Sequence, residues 1–356
     1  MGKKILLCGN EIVVEAAIMA GCRFYAGYPI TPQNELIDYM AKRMPEEGGT
    51  FIQSESELSA INMCLGASAA GARAMTSSSS PGISLKQEGI SYIAGSQLPV
   101  VIVNMMRGGP GLGNIGPSQS DYFQATKGGG HGDYHLIVLA PASVEELAEL
   151  TYHAFDLADK YRNPVMILGD GILGQMMEPA ELNFKTRKVH PRKSWVLKGN
   201  TGGRPACRTG RQRIVRSFFI EDGMLEKHNQ ILQEKYNKIR HKEARCETQN
   251  LDGNDVVVVA YGTASRIAKA AITRAHAKGI NVGLIRPITL WPFPEKIIQK
   301  AAEHAKKFLV VELSAGQMVE DVRLAVNGKR QVSFFGRTGG GVPTVDEVLR
   351  EIEKLK

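Results

Sequence analysis

The chain has 356 residues, of which 43% are apolar and 22% are charged, and these fractions are ordinary for a folded globular protein. They exclude a disordered chain, collagen and a coiled-coil fibre. The net charge of +8 is concentrated in one segment, because residues 1–184 carry −8, residues 185–245 carry +12 and residues 246–356 carry +4. A basic patch for nucleic acid or membrane would therefore concern residues 185–245 alone.

The first 184 residues alternate short β-like runs with helical patterns, which is typical of βαβ units on a parallel sheet. Asn10 and Ser143 are the predicted N-caps of the first and last of these helices. The predicted strands cover residues 4–8, 22–26, 50–54, 74–77, 100–105, 136–139 and 165–168. The predicted helices cover residues 11–20, 35–43, 57–70 and 144–160.

Residues 185–245 fit neither sheet and are predicted to be a basic connecting arm. A Gly/Thr/Arg/Pro loop over 199–210 leads to an amphipathic helix over 224–239, whose apolar face consists of Leu225, Leu232, Tyr236 and Ile239.

A second, smaller α/β domain is predicted for residues 246–356, since buried strands again alternate with helices. Its predicted strands cover 255–260, 281–285, 308–312 and 332–335, and Gly262-Thr263 is a turn after the first of them. Its predicted helices cover 264–278, 295–304, 317–326 and 345–354. The sequence thus predicts three parts, with limits 1–184, 185–245 and 246–356.

No segment predicts a membrane span or a metal site. No apolar run approaches the roughly 18 residues of a transmembrane helix, and the N-terminal residues lack the apolar core of a signal peptide. We therefore expect a cytoplasmic protein. The five cysteines show no CxxC spacing, which argues against disulfides, zinc and iron–sulfur ligation within this chain.

Three motifs suggest chemistry that their context does not favour. Residues 111–116 spell GxGxxG, but Pro117 follows where a dinucleotide-binding helix should continue, so a loop is predicted. Gly169-Asp170-Gly171, with Asn200 thirty residues on, resembles a thiamine diphosphate/magnesium motif, but the stretch between lacks helix–strand alternation and a strand-end turn is favoured. The serines at 77–80 lack an identifiable base and are interpreted as turn residues.

A more promising constellation lies in the first domain. Thr31 follows one predicted strand, Glu57 stands between the next strand and its helix, and Arg107 ends a third strand. Because parallel strands end at the same edge of a sheet, the three side chains are expected to meet where α/β proteins bind ligands. An alternative stays open for Glu57, whose carboxylate would also be favoured by the helix dipole alone.

These segments resemble the α subunit of the 2-oxoacid:ferredoxin oxidoreductases, which use thiamine diphosphate. The resemblance spans nearly the whole chain and is carried by GYPITP at 27–32, ESE at 55–57, GASAAG at 66–71, RGGP at 107–110, HGD at 131–133, LWPFP at 290–294, ELS at 312–314, GQ at 316–317 and GG at 339–340. It implies an α/β fold in which a pyrimidine-binding thiamine diphosphate domain precedes a smaller domain like the C-terminal domain of transketolase.

The resemblance also implies roles for individual residues. Glu57 corresponds to the glutamate that hydrogen-bonds the cofactor's aminopyrimidine ring, and Pro29, Ile30 and Thr31 would line the same cofactor site. Thr31 also matches the hydroxyl that hydrogen-bonds the substrate. Arg107 matches the arginine that binds the substrate carboxylate, a task that suits its bidentate fork.

The family's reaction implies partners for this chain. Members decarboxylate a 2-oxoacid oxidatively, pass electrons through iron–sulfur clusters to ferredoxin and transfer the acyl group to coenzyme A. Because the chain lacks cluster cysteines and a convincing magnesium motif, we expect a β subunit to hold Mg²⁺ and the diphosphate end, further iron–sulfur and γ subunits, and no activity from the isolated chain. The loop at 111–118 favours 2-oxoisovalerate as the substrate, with 2-oxoglutarate as the alternative.

Two alternative functions belong to other classes of protein. Nucleic-acid binding by the arm is disfavoured because few aromatic residues lie among its basic residues. A non-catalytic scaffold subunit is the other alternative. The arm is instead expected to dock on acidic sister subunits or on the phosphates of coenzyme A, through residues that include Arg208, Arg211 and Arg213.

Overall fold

The computed structural model describes residues 4–187, 195–197, 214–251 and 253–356. The predictions for Asn200 and for the three arm arginines lie outside these residues. The strands of the first part are β1 (Lys4–Cys8), β2 (Phe24–Gly27), β3 (Thr50–Gln53), β4 (Ala74–Ser78), β5 (Val100–Met106), β6 (Ile137–Leu139), β7 (Val165–Asp170) and β8 (Met177–Glu181). Its helices are α1 (Gly9–Met19), α2 (Asn34–Glu46), α3 (Glu57–Ala69), α4 (Ser80–Gly95), α5 (Val144–Tyr161) and α6 (Gly171–Gln175), and a π-helical turn covers Gln124–Gly128.

The second part begins with the arm helix. Its helices are α7 (Met224–Glu243), α8 (Gly262–Ala277), α9 (Glu295–His304), α10 (Met318–Val326) and α11 (Val345–Lys354). Its strands are β9 (Cys246–Gln249), β10 (Val256–Val259), β11 (Val282–Pro287), β12 (Thr289–Trp291), β13 (Lys307–Glu312) and β14 (Gln331–Gly336).

Two mostly parallel sheets organise these elements. The larger sheet has seven strands in the order β12-β6-β7-β5-β4-β2-β3, and the smaller has five in the order β14-β13-β10-β11-β9. Within each sheet the strands are parallel except β12 and β9, which pair antiparallel at an edge. The central strands β5 and β7 are buried along their whole length, as expected when helices cover both faces of a sheet. The α/β prediction is confirmed.

Chain segments do not divide cleanly between the two sheets. Strand β12 belongs to the C-terminal part of the sequence but forms the edge of the larger sheet, beside β6. Strand β1, although correctly predicted, pairs only with β8 in a separate two-stranded sheet. The limits 1–184, 185–245 and 246–356 stay a prediction.

Several local predictions need correction. Cys8 and not Asn10 is the N-cap of α1, and Asn10 instead donates across to the carbonyl of Pro32 at 2.8 Å. Gly262 begins α8 and is not a separate turn. On α7, Leu225 is exposed, while the other three predicted face residues are buried. Among the described residues no helix is long and apolar enough to cross a membrane.

Candidate functional site

Glu57 begins α3 at the carboxyl edge of the larger sheet. The hydroxyl of Ser56 caps this helix by accepting from the backbone N–H of Ser59 at 3.3 Å, so the fold of α3 fixes where the Glu57 side chain starts. Glu57 is only 6% exposed, and no described group donates a hydrogen bond to its carboxylate. A carboxylate that served only the helix dipole would normally lie in water, so its burial favours a role in binding.

The first turn of α4 lies against this carboxylate. A methyl group on Gly82 would collide with Glu57 Oε1 and with the hydroxyl of Ser78, so only glycine allows the approach. The hydroxyls of Ser78 and Ser79 are buried and have no hydrogen-bond partner among the described residues. Buried polar atoms are normally paired, so these two are available to a bound molecule.

Arg107 and Thr31 are adjacent, as the shared sheet edge predicts. Arg107 Nη1 donates to the carbonyl of Thr31 at 2.9 Å, and its Nη2 donates to the carbonyl of Leu112 at 3.1 Å. Its Nε is buried without a partner. The hydroxyl of Thr31 accepts from Asn34 at 3.3 Å and stays half-buried. The guanidinium is therefore held by backbone carbonyls and keeps its charge free of any described carboxylate.

Ser80 connects the two halves of the constellation. Its hydroxyl accepts from the N–H of Arg107 at 3.0 Å, and the same residue opens α4, whose Gly82 touches Glu57. Ser77 bonds the hydroxyl of Tyr25 at 2.6 Å and Gln33 at 2.5 Å. Ser77 lies within β4 and Ser80 begins α4, so the interpretation of these two serines as turn residues is wrong.

The other residues predicted to line the cofactor site lie at the same edge. Pro29 is exposed and Ile30 is half-buried in the turn between β2 and α2. No described contact assigns either one to a bound molecule, so their role stays a prediction.

The glycine-rich loop after Arg107 is a closed loop, as predicted, and not a dinucleotide-binding turn. The N–H of Gly108 donates to the carbonyl of Gly116 at 2.9 Å, and Arg107 forms a bridge with Pro117. Asp170 likewise behaves as predicted for a strand-end turn, because its carboxylate caps α6 by accepting from Ile172 at 3.0 Å. Among the described residues no three His, Cys, Asp or Glu side chains gather as a metal site requires.

The second domain forms hydrogen bonds with the end of this loop. Gln119 Nε2 donates to the carbonyl of Tyr261 at 2.9 Å, and its Oε1 accepts from the N–H of Leu313 at 3.0 Å. In the opposite direction, Gln317 of the second domain donates to the carbonyl of Ser120 at 2.7 Å. Sequence reasoning missed this clamp because each bond joins residues more than 140 positions apart.

A cavity of about 590 Å³ opens between the loop and the second domain. Its walls include Ser80, Gly109, Asp121, Ser314, Gln317 and Thr338. Burial raises the pKa of the Asp121 carboxyl. The size suits a small-molecule ligand. Gly108, the residue that follows Arg107 in the chain, is one of the wall residues.

Replacing Gln119 with alanine should destabilise the purified chain by about 2–4 kcal/mol, since it leaves a buried N–H and a buried carbonyl unpaired. Urea unfolding measures this change. Gln124→Ala, which removes a more exposed bond to Ser84, should cost less than about 1 kcal/mol. Equal losses in the two variants would contradict the clamp.

Sequence reasoning also missed Lys86, which lies on α4 and is fully buried. Its Nζ donates to the hydroxyl of Thr76 at 3.0 Å and to the main-chain carbonyl of Glu57 at 3.3 Å. Burial lowers the pKa of Lys86 to about 8. Its position offered a signal, because Lys86 shares the helical face of Ile83 and Ile90, which are both buried.

The lowered pKa makes stability depend on pH. Below pH 8 the folded and unfolded chains both hold the Lys86 proton, so folding bears the full cost of burying the charge. Between pH 8 and 10.5 the unfolded chain binds more protons, and stability rises with pH. The free energy of unfolding of wild type should therefore rise relative to that of Lys86→Met, by about 2–3 kcal/mol between pH 7 and pH 10. Urea unfolding across this range checks it, and a constant difference would contradict it.

The comparisons with known proteins identify the family of the chain. Residues 15–245 match the family described as pyruvate flavodoxin/ferredoxin oxidoreductase, thiamine diphosphate-binding, and residues 254–348 match core domain II of pyruvate:ferredoxin oxidoreductase. The chain is 50% identical to ketoisovalerate oxidoreductase subunit VorB of Methanothermobacter thermautotrophicus, over 98% of this chain and 96% of that protein. It is 37% identical to 2-oxoglutarate synthase subunit KorA of the same organism, over the full length of both.

Solved structures agree in fold. The chain superposes with a TM-score of 0.86, at 28% identity, on a 2-oxoglutarate:ferredoxin oxidoreductase from Magnetococcus marinus that was solved with 2-oxoglutarate, coenzyme A and succinyl-CoA bound. The match covers 99% of this chain and 65% of that one. A split-gene transketolase, at 14% identity and a TM-score of 0.59, shares the fold. The chain therefore belongs to the pyruvate flavodoxin/ferredoxin oxidoreductase family, among the subunits of 2-oxoacid:ferredoxin oxidoreductases, and carries that family's thiamine diphosphate-binding domain.

Proposed function

We propose that this chain is the α subunit of a 2-oxoacid:ferredoxin oxidoreductase that acts on 2-oxoisovalerate (3-methyl-2-oxobutanoate). The complex would release carbon dioxide, transfer the acyl group to coenzyme A and pass electrons to ferredoxin. The observation that carries the proposal is the buried carboxylate of Glu57, which has no donor among the described residues and lies against Gly82. Two residues before Gly82, the hydroxyl of Ser80 accepts from the N–H of Arg107.

The residues of this edge fit the pyrimidine end of thiamine diphosphate. A ring that carries both a nitrogen and an amino group can pair with the Glu57 carboxylate and with the unpartnered hydroxyls of Ser78 and Ser79. Bound thiamine diphosphate would supply the carbanion that attacks the oxoacid carbonyl and the electron sink for decarboxylation. Glu57 would hold and share a proton at the ring nitrogen.

Arg107 and Thr31 would bind the substrate. The guanidinium has an unpartnered Nε and no described carboxylate beside it, so it is free to take the carboxylate of a 2-oxoacid. The Thr31 hydroxyl, half-buried at the same edge, would donate to the oxoacid oxygen. The backbone carbonyls that hold the guanidinium would keep it oriented before substrate arrives.

Partner subunits complete this proposal. Magnesium and the diphosphate end would be held by a β subunit, and iron–sulfur clusters by other subunits. The related proteins named above are subunits of larger oxidoreductases, which supports a hetero-oligomer. The basic arm at 185–245 would dock a sister subunit or coenzyme A.

A branched aliphatic oxoacid is favoured over 2-oxoglutarate. The cavity that begins at Gly108 has no Lys or Arg among its described wall residues and includes the carboxyl of Asp121. A second substrate carboxylate would find no cation among these described wall residues. The higher identity to the ketoisovalerate subunit than to the 2-oxoglutarate subunit agrees with this choice.

Ferredoxin reduction by the complex purified from its native source tests the proposal. With thiamine diphosphate and coenzyme A present, kcat/KM should be highest for 2-oxoisovalerate, above 2-oxoglutarate and pyruvate, and the isolated chain should be inactive. A preference for 2-oxoglutarate would select the alternative substrate. Turnover by the isolated chain would refute the need for partners.

A further inference from the structure

A buried lysine lies directly beneath the proposed cofactor site. Lys86 is fully buried, and its Nζ contacts only two oxygen atoms among the described residues, the Thr76 hydroxyl at 3.0 Å and the main-chain carbonyl of Glu57 at 3.3 Å. No described carboxylate forms an ion pair with it. A lysine is rarely fully buried without a carboxylate partner, so its retention here needs a reason.

The position of Lys86 ties it to Glu57 in two ways. Lys86 follows Gly82 by four residues, so one helical turn of α4 presents both to the first turn of α3. Gly82 meets the Glu57 carboxylate, while Lys86 holds the carbonyl of the same residue. The ammonium is thus placed against the main chain of Glu57, in an interior where charges are poorly screened.

We propose that Lys86 is a positioning residue that fixes the start of α3 and supplies the positive charge against which Glu57 shares its proton with the cofactor ring. This inference rests on the proposed function of Glu57. Two like charges close together disfavour each other, so the Lys86 ammonium would disfavour a protonated, positively charged cofactor ring.

The titratable groups around Lys86 do not add a second positive charge to that of its ammonium. Strand β4 contributes the Thr76 hydroxyl, which does not titrate. Helix α3 contributes Glu57 and the thiol of Cys64, and burial raises the pKa of Cys64 to about 12, so the thiol is neutral. Lys86 itself carries its proton below about pH 8.

The near-ultraviolet circular dichroism of bound thiamine diphosphate, which reports the protonation of its aminopyrimidine ring, tests this role in the assembled complex. In Lys86→Met, which keeps the length of the side chain without its charge, the pH midpoint of that signal should rise by about one unit. Lys86→Gln should give the same shift. Because glutamine keeps a polar group, this variant serves if the methionine variant does not assemble.

A second, partly buried lysine provides the control. Lys235 on α7 also donates to a backbone carbonyl, that of Arg162 at 3.2 Å, and burial lowers its pKa to about 7. Lys235→Met should leave the midpoint where wild type has it. A midpoint within about 0.2 unit of wild type in both Lys86 variants, or an equal shift in the control, would overturn the proposal.

Glu57→Gln separates this inference from the proposed function. If that variant changes the cofactor signal while both Lys86 variants do not, only the role of Lys86 is wrong. If Glu57→Gln also leaves the signal and its pH dependence unchanged, the assignment of Glu57 to the cofactor fails and takes the role of Lys86 with it.

Discussion

Glu57→Gln should lower kcat of the assembled complex by about 10²–10⁴-fold, the usual contribution of a positioned acid or base. Glutamine keeps the volume of the buried side chain next to Gly82 but cannot give or take the shared proton. The thermal midpoint of the complex should change little, because no described donor loses a bond. Steady-state ferredoxin reduction with saturating 2-oxoacid measures the change in kcat.

Glu55→Gln is the matched control for this variant. Glu55 lies two residues before Glu57 and is fully exposed, where it bonds the hydroxyl of Ser59. Its replacement should leave kcat at the wild-type value. If Glu57→Gln also turned over at the wild-type rate, the chain would be a non-catalytic scaffold subunit, and the reading of Glu57 as a charge placed for the helix dipole would be sufficient.

Arg107→Ala should reduce kcat/KM for 2-oxoisovalerate, 2-oxoglutarate and pyruvate alike, by about 10²–10³-fold. Truncating one member of a hydrogen-bonded charge pair costs about 2–5 kcal/mol, and each 1.4 kcal/mol is about tenfold. All three acids share the carboxylate that Arg107 would bind, so the losses should be parallel. Initial rates over a range of each oxoacid measure them.

The control for Arg107 must also lose backbone hydrogen bonds, because the guanidinium holds the carbonyls of Thr31 and Leu112. Arg162→Ala meets this requirement, since Arg162 donates to the carbonyl of Gln97 at 3.1 Å at a distant point of the same domain. It should cost stability and leave kcat/KM unchanged. Retained activity in Arg107→Ala would refute the assigned role.

Local signals explain which elements could be predicted from the sequence. Ser143 caps α5 as expected, and α9 and α11 have the predicted limits, because amphipathic spacing and end signals lie within the helices themselves. Asn10 was wrongly predicted as a cap because its side chain is used by Pro32, a partner 22 residues away. Pairings such as β1 with β8 depend on contacts that no local pattern encodes.

The site divides in the same way. The edge shared by Thr31, Glu57 and Arg107 follows from the topology of a parallel sheet, and the contact of Arg107 with Thr31 confirms that part. Lys86 and Gln119 were not predicted, since each acquires its importance from residues on other elements. The position of Lys86 among apolar residues of one helix face was the one available signal. Its partners on α3 and β4 become visible only in the folded structure.

A structure of the native complex with thiamine diphosphate and 2-oxoisovalerate bound would measure the central claim directly. We expect a Glu57 carboxylate oxygen within about 3 Å of a pyrimidine ring nitrogen, and the substrate carboxylate at the same range from the Arg107 guanidinium. A cofactor ring that contacts neither Glu57 nor the serines at 78–79, or a substrate carboxylate bound elsewhere, would contradict it.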